Sequence, residues 1–275
     1  MGVRRIAAAL VAVATLSAGL AACGGGAATS VMDKAKSDKK LTIGVKPDQP
    51  GIGLQKPDGT FAGFDIDVAK YVAEKLGVGE KSIKFVPTLS ANREAFIQQG
   101  KVDMVIASYS ITDERKKVIS FAGPYYIAGQ DILVKAGDSS IKTVDDLVGK
   151  KVCSGQGSAS SKRIEDKFGS KVNLIKAAGY GDCLTQLLGG QVQAMTTDNT
   201  ILSGYSAQNP GKLKLVGAPF SQEKYGIGLK KDDKKGRDAI NNALQQMFTD
   251  GSWKRFLEQN LPGVPAETPP TLERY

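Results

Sequence analysis

Two rhythms of apolar residues alternate along most of the chain. Leu41-Thr42-Ile43-Gly44-Val45-Lys46 reads as a short strand, and a Pro/Gly-rich excursion separates it from Ile66, Ala69, Val72, Ala73 and Leu76, which share one helical stripe. Asp65 and Asp67 fall in the first turn of that helix and Gly77 ends it, so the two segments form a βα unit. The pattern continues with a strand over residues 82–86, a helix over 92–99 and a buried strand over 102–107. After Tyr126 the character repeats, with strand 151–153, helix 158–168, strand 172–175, helix 182–188 and strand 192–196. In both halves a helix ends in glycine shortly before a buried strand, at Gly100-Lys101-Val102 and at Gly189-Gly190-Gln191-Val192.

This periodicity predicts an α/β fold of two similar lobes, each a mostly parallel sheet flanked by helices. A strand over 225–229 and two helical stretches within 234–260, with Trp253, Phe256 and Leu257 facing the core, return to the first lobe. The expected boundaries are 41–128 with 223–262 for lobe 1, and 129–222 for an inserted lobe 2. The chain crosses near Gly129-Gln130 and again over 220–223, which predicts a two-strand hinge. Residues 263–275, rich in proline and polar side chains, read as a disordered tail.

The N-terminus adds a destination. Arg4 and Arg5 precede an apolar run over 6–20, too short for a stable membrane span and of the size of a signal-peptide core. The run ends in Leu20-Ala21-Ala22-Cys23, the lipobox pattern in which the cysteine is acylated after cleavage; an ordinary secretory signal with an incidental Cys23 is the alternative. The expectation is a signal peptide over 1–22, a lipid on Cys23, a flexible tether over 23–40, and a protein exported to the outer face of the cell membrane. The formal charge is +9, and removing Arg4 and Arg5 leaves +7. Because the lysines are spread along the chain, this excess reads as a solvated basic surface, and nucleic acid is not an expected partner.

The chain has no histidine, which removes the commonest general acid–base group and the commonest zinc ligand. No catalytic set, metal or cofactor is expected. Cys153 and Cys183, in an oxidising compartment, either pair as a disulfide or stand as two buried free thiols.

Five segments carry a resemblance: Gly63-Phe64-Asp65-Ile66-Asp67-Val68, Gly100-Lys101-Val102-Asp103, Ser110-Ile111-Thr112-Asp113-Glu114-Arg115, Phe121-Ala122-Gly123-Pro124-Tyr125-Tyr126 and Gln156-Gly157-Ser158. In order and spacing the chain from 41 to 260 resembles the family 3 extracellular solute-binding proteins of bacterial ABC importers. Ser90-Ala91-Asn92-Arg93 is similar to an element of the glutamate/aspartate-binding branch. The resemblance implies a type II periplasmic-binding-protein-like fold, a monomer whose lobes close on one amino acid, and delivery to the transmembrane subunits of an ABC permease. It implies Asp198 for the ligand's ammonium, and Ser110 with Arg115 for its α-carboxylate. Ser90, Ser108, Ser158 and Ser161 are implied as further polar contacts. Lys46 and Arg93 are implied for a side-chain carboxylate, hence L-glutamate, with aspartate or glutamine as alternatives. Tyr180 stands where related acidic-amino-acid binders have a histidine, and Ser158-Ala159 replaces the usual Ser-Thr pair; both departures bear on fine specificity.

The local chemistry of Arg115 points the same way. Thr112 can cap the helix that begins at Asp113, and Arg115 takes the third helical position, where a capping box would carry Glu or Gln. Side chains lean toward a helix N-terminus, so the guanidinium reaches back to Ser108-Tyr109-Ser110, where hydroxyls and free N–H groups complete a carboxylate site. A surface arginine paired with Asp113 or Glu114 is the other reading. Among enzymes of the implied fold the rival is an exported dehydratase acting on a cyclic amino-acid precursor, with Glu223 as its acid.

Overall fold

The repeat in the apolar pattern becomes two five-stranded sheets built alike. The computed structural model describes residues 30–264 and 268–274. Helix α1 (Val31–Asp38) comes first, then strands β1 (Leu41–Val45), β2 (Asp48–Gln49), β3 (Gly53–Gln55) and β4 (Phe61–Ala62). Helix α2 (Phe64–Lys75), strand β5 (Ile83–Pro87), helix α3 (Arg93–Gln98), strand β6 (Met104–Val105) and helix α4 (Asp113–Lys116) follow. The long strand β7 (Ser120–Ala128) leads into β8 (Gln130–Lys135). The second half runs β9 (Lys151–Gly155), α5 (Ala159–Phe168), β10 (Asn173–Ala177), α6 (Tyr180–Leu188), β11 (Ala194–Asp198), α7 (Asn199–Gln208) and β12 (Leu213–Leu215). Strand β13 (Glu223–Leu229) and helices α8 (Lys234–Thr249) and α9 (Ser252–Asn260) complete it.

The first sheet has the order β5-β1-β6-β13-β7 and the second β10-β9-β11-β8-β12. In each, three strands paired in parallel are extended by two antiparallel pairings in the same positions, so that only the fourth strand, β13 or β8, runs against the rest. The parallel strands need helical crossovers, which α2, α3, α5 and α6 supply, whereas the antiparallel strands carry the chain from lobe to lobe. Only Gly129 separates β7 in the first sheet from β8 in the second. The return strand β13 places Glu223 opposite Ala128, and Phe220 N donates to Gln130 O at 2.9 Å, so the two crossings run side by side. Phe64, Tyr126 and Tyr225 pack together there, with ring centroids 5.7 and 5.8 Å apart.

Two expectations at the ends of the chain need correction. The tether assigned to 23–40 does not extend to Leu41, because residues 31–38 form α1. Ser30 caps that helix by accepting from Met32 N, and Val31 and Ala35, one turn apart, are buried against the first lobe. Asp233 accepts from Val31 N at 2.8 Å, and Lys34 pairs with Asp103 at 2.6 Å. A short apolar pair inside a lysine-rich stretch is thus enough to dock it. Nor is the tail from 263 to 275 free of structure: Glu273 N donates to Gly123 O at 2.8 Å, its carboxylate pairs with Lys224, and Leu272 packs on the core. The signal peptide and Cys23 lie outside the described residues.

Cys153 in β9 and Cys183 in α6 form a disulfide, with Cα atoms 5.4 Å apart, so of the two readings of these cysteines pairing holds. The bridge ties α6 to the sheet beneath it and closes a ring across 30 positions. Replacing both cysteines by serine should lower stability by about 3 to 4 kcal/mol through loop entropy in the unfolded chain. Urea unfolding checks this, and an unchanged midpoint would refute it.

Candidate functional site

Lobe 1 builds its wall around a buried carboxylate. Asp65 lies in the first turn of α2 and is fully buried; it accepts from Ser108 N and from Tyr125 OH, each at 2.7 Å. Burial pushes its carboxyl up to about 6, against these hydrogen bonds. The bond to Ser108 supports a backbone in the left-handed region (φ 41°), uncommon for a residue with a side chain. The Ala107 and Ser108 carbonyls accept from Arg93 Nη1 at 3.1 and 3.3 Å, while Arg93 Nε donates to Ser90 O at 3.2 Å. The guanidinium lies 4.2 Å from the Tyr109 ring centre and is 2 % exposed. Lys46, just past β1, is equally buried and donates to Ser90 Oγ at 2.6 Å. Burial pulls the ammonium down to about 7, and the Arg93 charge adds to that.

Arg115 behaves as its place in α4 predicts. Thr112 accepts from Arg115 N at 3.3 Å, and the guanidinium turns back to donate to Ser110 O at 2.7 Å. Its ion pair is with Glu94 at 3.0 Å, from the neighbouring helix α3, rather than with Asp113 or Glu114. The remaining nitrogen crosses to lobe 2, donating to Gly157 O at 3.0 Å.

Lobe 2 answers with a carboxylate. Asp198 ends β11 and is buried; Tyr225 OH, from the hinge strand β13, donates to it at 2.6 Å and Ser160 Oγ at 3.4 Å. Burial raises its carboxyl to about 7, with the nearby Glu223 charge pushing the same way. Glu223 itself is ion-paired with Arg163 at 2.6 Å. Ser158 caps α5, accepting from Ser161 N at 2.9 Å, and Tyr180 opens α6 with its ring buried.

Ser90, Arg93, Ser108, Ser110, Ser158, Tyr180 and Asp198 line one narrow space between the lobes, of about 10 Å³. Lys46 stands directly behind Ser90. Arg115 and Ser161 line a wider groove on the solvent side instead. The Ser161 hydroxyl is spent on Ser158 O at 3.1 Å; Ser160, one position back on the helix, faces the space in its place. Sequence reasoning also passed over Asp65, Tyr225 and Ile201. For Asp65 a signal was present: spaced i, i+4, i+7 and i+11 with Ala69, Val72 and Leu76, it falls on the apolar stripe of its own helix. Glu223, the acid the dehydratase reading requires, does not line the space.

Two lobes on a two-strand hinge, closing over a small space with a carboxylate on one wall and cations on the other, define a binding protein for a small dipolar solute. The chain belongs to the bacterial extracellular solute-binding proteins, family 3, which it matches over residues 41–262. It is 42% identical over 267 residues to the glutamate-binding protein GluB of Corynebacterium glutamicum, covering 94% of this chain and 90% of that one. It is 38% identical over 234 residues to the ABC transporter glutamine-binding protein GlnH of Bacillus subtilis, covering 84% of this chain and 85% of that one. Among solved structures, an ancestral arginine-binding protein bound to glutamine superposes with a TM-score of 0.76 at 38% identity, covering 81% of this chain and 97% of that one. These relatives are binding proteins, and the chain is a solute-binding protein rather than an enzyme.

The two shifted groups give the site a pH signature. Asp198 is charged above about 7 and Lys46 below about 7. A ligand ammonium beside Asp198 lowers its pKa, so affinity falls as pH drops below 7 and that carboxylate protonates. A ligand carboxylate near Lys46 raises its pKa, so affinity falls again as pH climbs above 7 and the ammonium discharges. Calorimetry from pH 5.5 to 8.5 should show a maximum near neutrality for a dicarboxylic amino acid, with limbs approaching about tenfold per pH unit at most. A flat profile would show that neither group meets ligand charge.

Proposed function

We propose that the chain binds L-glutamate between its lobes and delivers it to the transmembrane subunits of an ABC importer, working as an exported lipoprotein held to the outer face of the membrane through Cys23. The observation that carries the ligand assignment is the charge layout of the space between the lobes: Asp198 on one wall, Arg93 on the other, and Lys46 one hydroxyl behind it. An ammonium suits the first and an anion the second. Likeness to GluB supports the same reading.

Each group then has a part. Asp198, oriented by Tyr225, takes the ammonium. Arg115 holds the α-carboxylate with Ser110: of its five N–H donors, three are engaged by Glu94, Ser110 and Gly157, which leaves two for a carboxylate. Arg93 and Lys46 take the side-chain carboxylate, with Ser90, Ser158 and Tyr180 closing around it. Every free amino acid presents the same ammonium and α-carboxylate, so selection falls to Arg93 and Lys46. A neutral glutamine side chain leaves two buried cations unmatched, and an arginine or lysine ligand adds a third positive charge.

Titration of the exported chain against the twenty amino acids tests the assignment. Arg93→Ala should weaken glutamate by about 2 to 5 kcal/mol, roughly 30- to several-thousand-fold, and glutamine far less. Lys46→Gln should shift preference in the same direction with less disturbance to packing. Arg115→Ala should weaken both ligands alike. Equal losses for glutamate and glutamine in Arg93→Ala, or a wild type that prefers glutamine or a basic amino acid, would defeat the proposal.

A further inference from the structure

Helix α6 of lobe 2 starts without a side-chain cap of its own, since Gly179 stands at its N-cap position. The missing oxygen comes from the other lobe. Asp48, in β2, accepts from Tyr180 N at 2.8 Å and from Gly181 N at 3.3 Å, the first two amides of this nine-residue helix. A carboxylate there meets both the unsatisfied N–H groups and the positive end of the helix dipole. The Asp48 carbonyl accepts in turn from Tyr205 OH of α7.

Around this contact the lobes approach closely, backbone to side chain at Gly179 and backbone to backbone at Gly157 and Gly204, and lobe 2 presents glycine at each point. A Cβ at Gly179 would lie 2.7 Å from Asp48 Oδ2, one at Gly157 2.7 Å from Ala91 Cα, and one at Gly204 would overlap the Pro50 carbonyl. Neither Asp48 nor Pro50, Gly179 nor Gly204 lines the space that Asp198 and Arg93 face.

We infer that Asp48 is a cap supplied across the cleft, a latch that forms only when the lobes meet and so sets affinity without touching the ligand. The inference rests on the closing-cleft reading proposed above. Binding to one lobe followed by closure makes the observed affinity the product of an intrinsic term and a closure equilibrium. The cap enters only the second. It therefore raises the affinity for every ligand by one common factor and leaves discrimination to Arg93 and Lys46. When the lobes part, water takes over the amides of Tyr180 and Gly181, and the charged hydrogen bonds are lost.

Two variants of the full chain separate the latch from other roles. Asp48→Ala removes the cap; because Asp48 also faces Lys46, it changes the charge near the ligand as well. Gly204→Ala leaves all charges in place and suits a helix, but blocks the seam at Pro50. Both should weaken glutamate and glutamine, Gly204→Ala by one common factor and Asp48→Ala by roughly 10- to 100-fold for each, with the change in the dissociation rate. Small-angle scattering should show both variants less compact than the wild type at equal ligand saturation. Wild-type affinities in both variants would overturn the latch, and so would an Asp48→Ala effect confined to glutamate, which would make Asp48 an electrostatic partner of Lys46. If the wild type binds no amino acid, the functional reading fails separately. The latch is then read from the ligand-free chains, where larger radii in both variants support it and equal radii overturn it.

Discussion

Among the described residues Asp65, Asp131, Asp198 and Glu223 lie out of water, and the two that shape the site are each held by a tyrosine from the hinge strands: Asp65 by Tyr125 of β7, Asp198 by Tyr225 of β13. An unpartnered buried carboxylate would shed its charge or unfold its surroundings, so these hydroxyls are conditions for the site's existence. Asp65 holds the amide of Ser108, and with it the turn whose carbonyls receive Arg93. Asp198 is the charge on the opposite wall. Because β7 and β13 are neighbours in the first sheet, one ladder of hydrogen bonds sets the distance between the two halves of the recognition surface.

The walls are unlike in charge. Burial lowers the pKa of Lys46 and of Arg93 in lobe 1, and the neighbouring cations, Arg93 beside Lys46 and Arg115 beside Arg93, push the same way. Arg115 is ion-paired with Glu94, whereas Lys46 donates to the Ser90 hydroxyl, with the Asp48 and Asp65 charges nearby, and Arg93 meets carbonyls and the face of Tyr109. Cations solvated by neutral oxygens in a dry interior are costly to retain for packing alone. An anion entering this space offsets a cost the fold already bears, and the gain is greatest for a ligand with a second negative group.

Much of this was legible in the sequence because it is written in local rules. The repeated βα units, the reach of Arg115 back to Ser110 and the cap made by Ser158 follow from spacing and helix geometry, and the structure has all three. What escaped was set by contacts between distant segments. Asp48 looked like part of a Pro/Gly-rich loop, and nothing near it announces that Tyr180, over 130 positions on, needs a cap. Composition misled at both ends: in α1 a lysine-rich stretch conceals Val31 and Ala35, and in the tail Glu273 finds Gly123 and Lys224 despite the prolines around it. Ser161 and Ser160 differ by about 100° around α5, a rotation that a motif cannot resolve.

The side-by-side crossings have a further meaning. Ala128 and Glu223 are ladder partners, so the chain leaves lobe 1 and comes back to it at points only about 5 Å apart. To lobe 1, everything from 129 to 222 is one long excursion between adjacent strands, and its own disulfide lies wholly inside that excursion. Such a joint is where a fold accepts transplantation: a foreign second lobe with the same two connecting strands enters and leaves at one place, and only the apolar contacts that run from lobe to lobe beside the hinge need rematching. Since each lobe furnishes one wall of the cleft, exchanging lobes between relatives would reassort the wall that carries Asp198 and the wall that carries Lys46 and Arg93, with Tyr225 the hydroxyl that any incoming second lobe must meet.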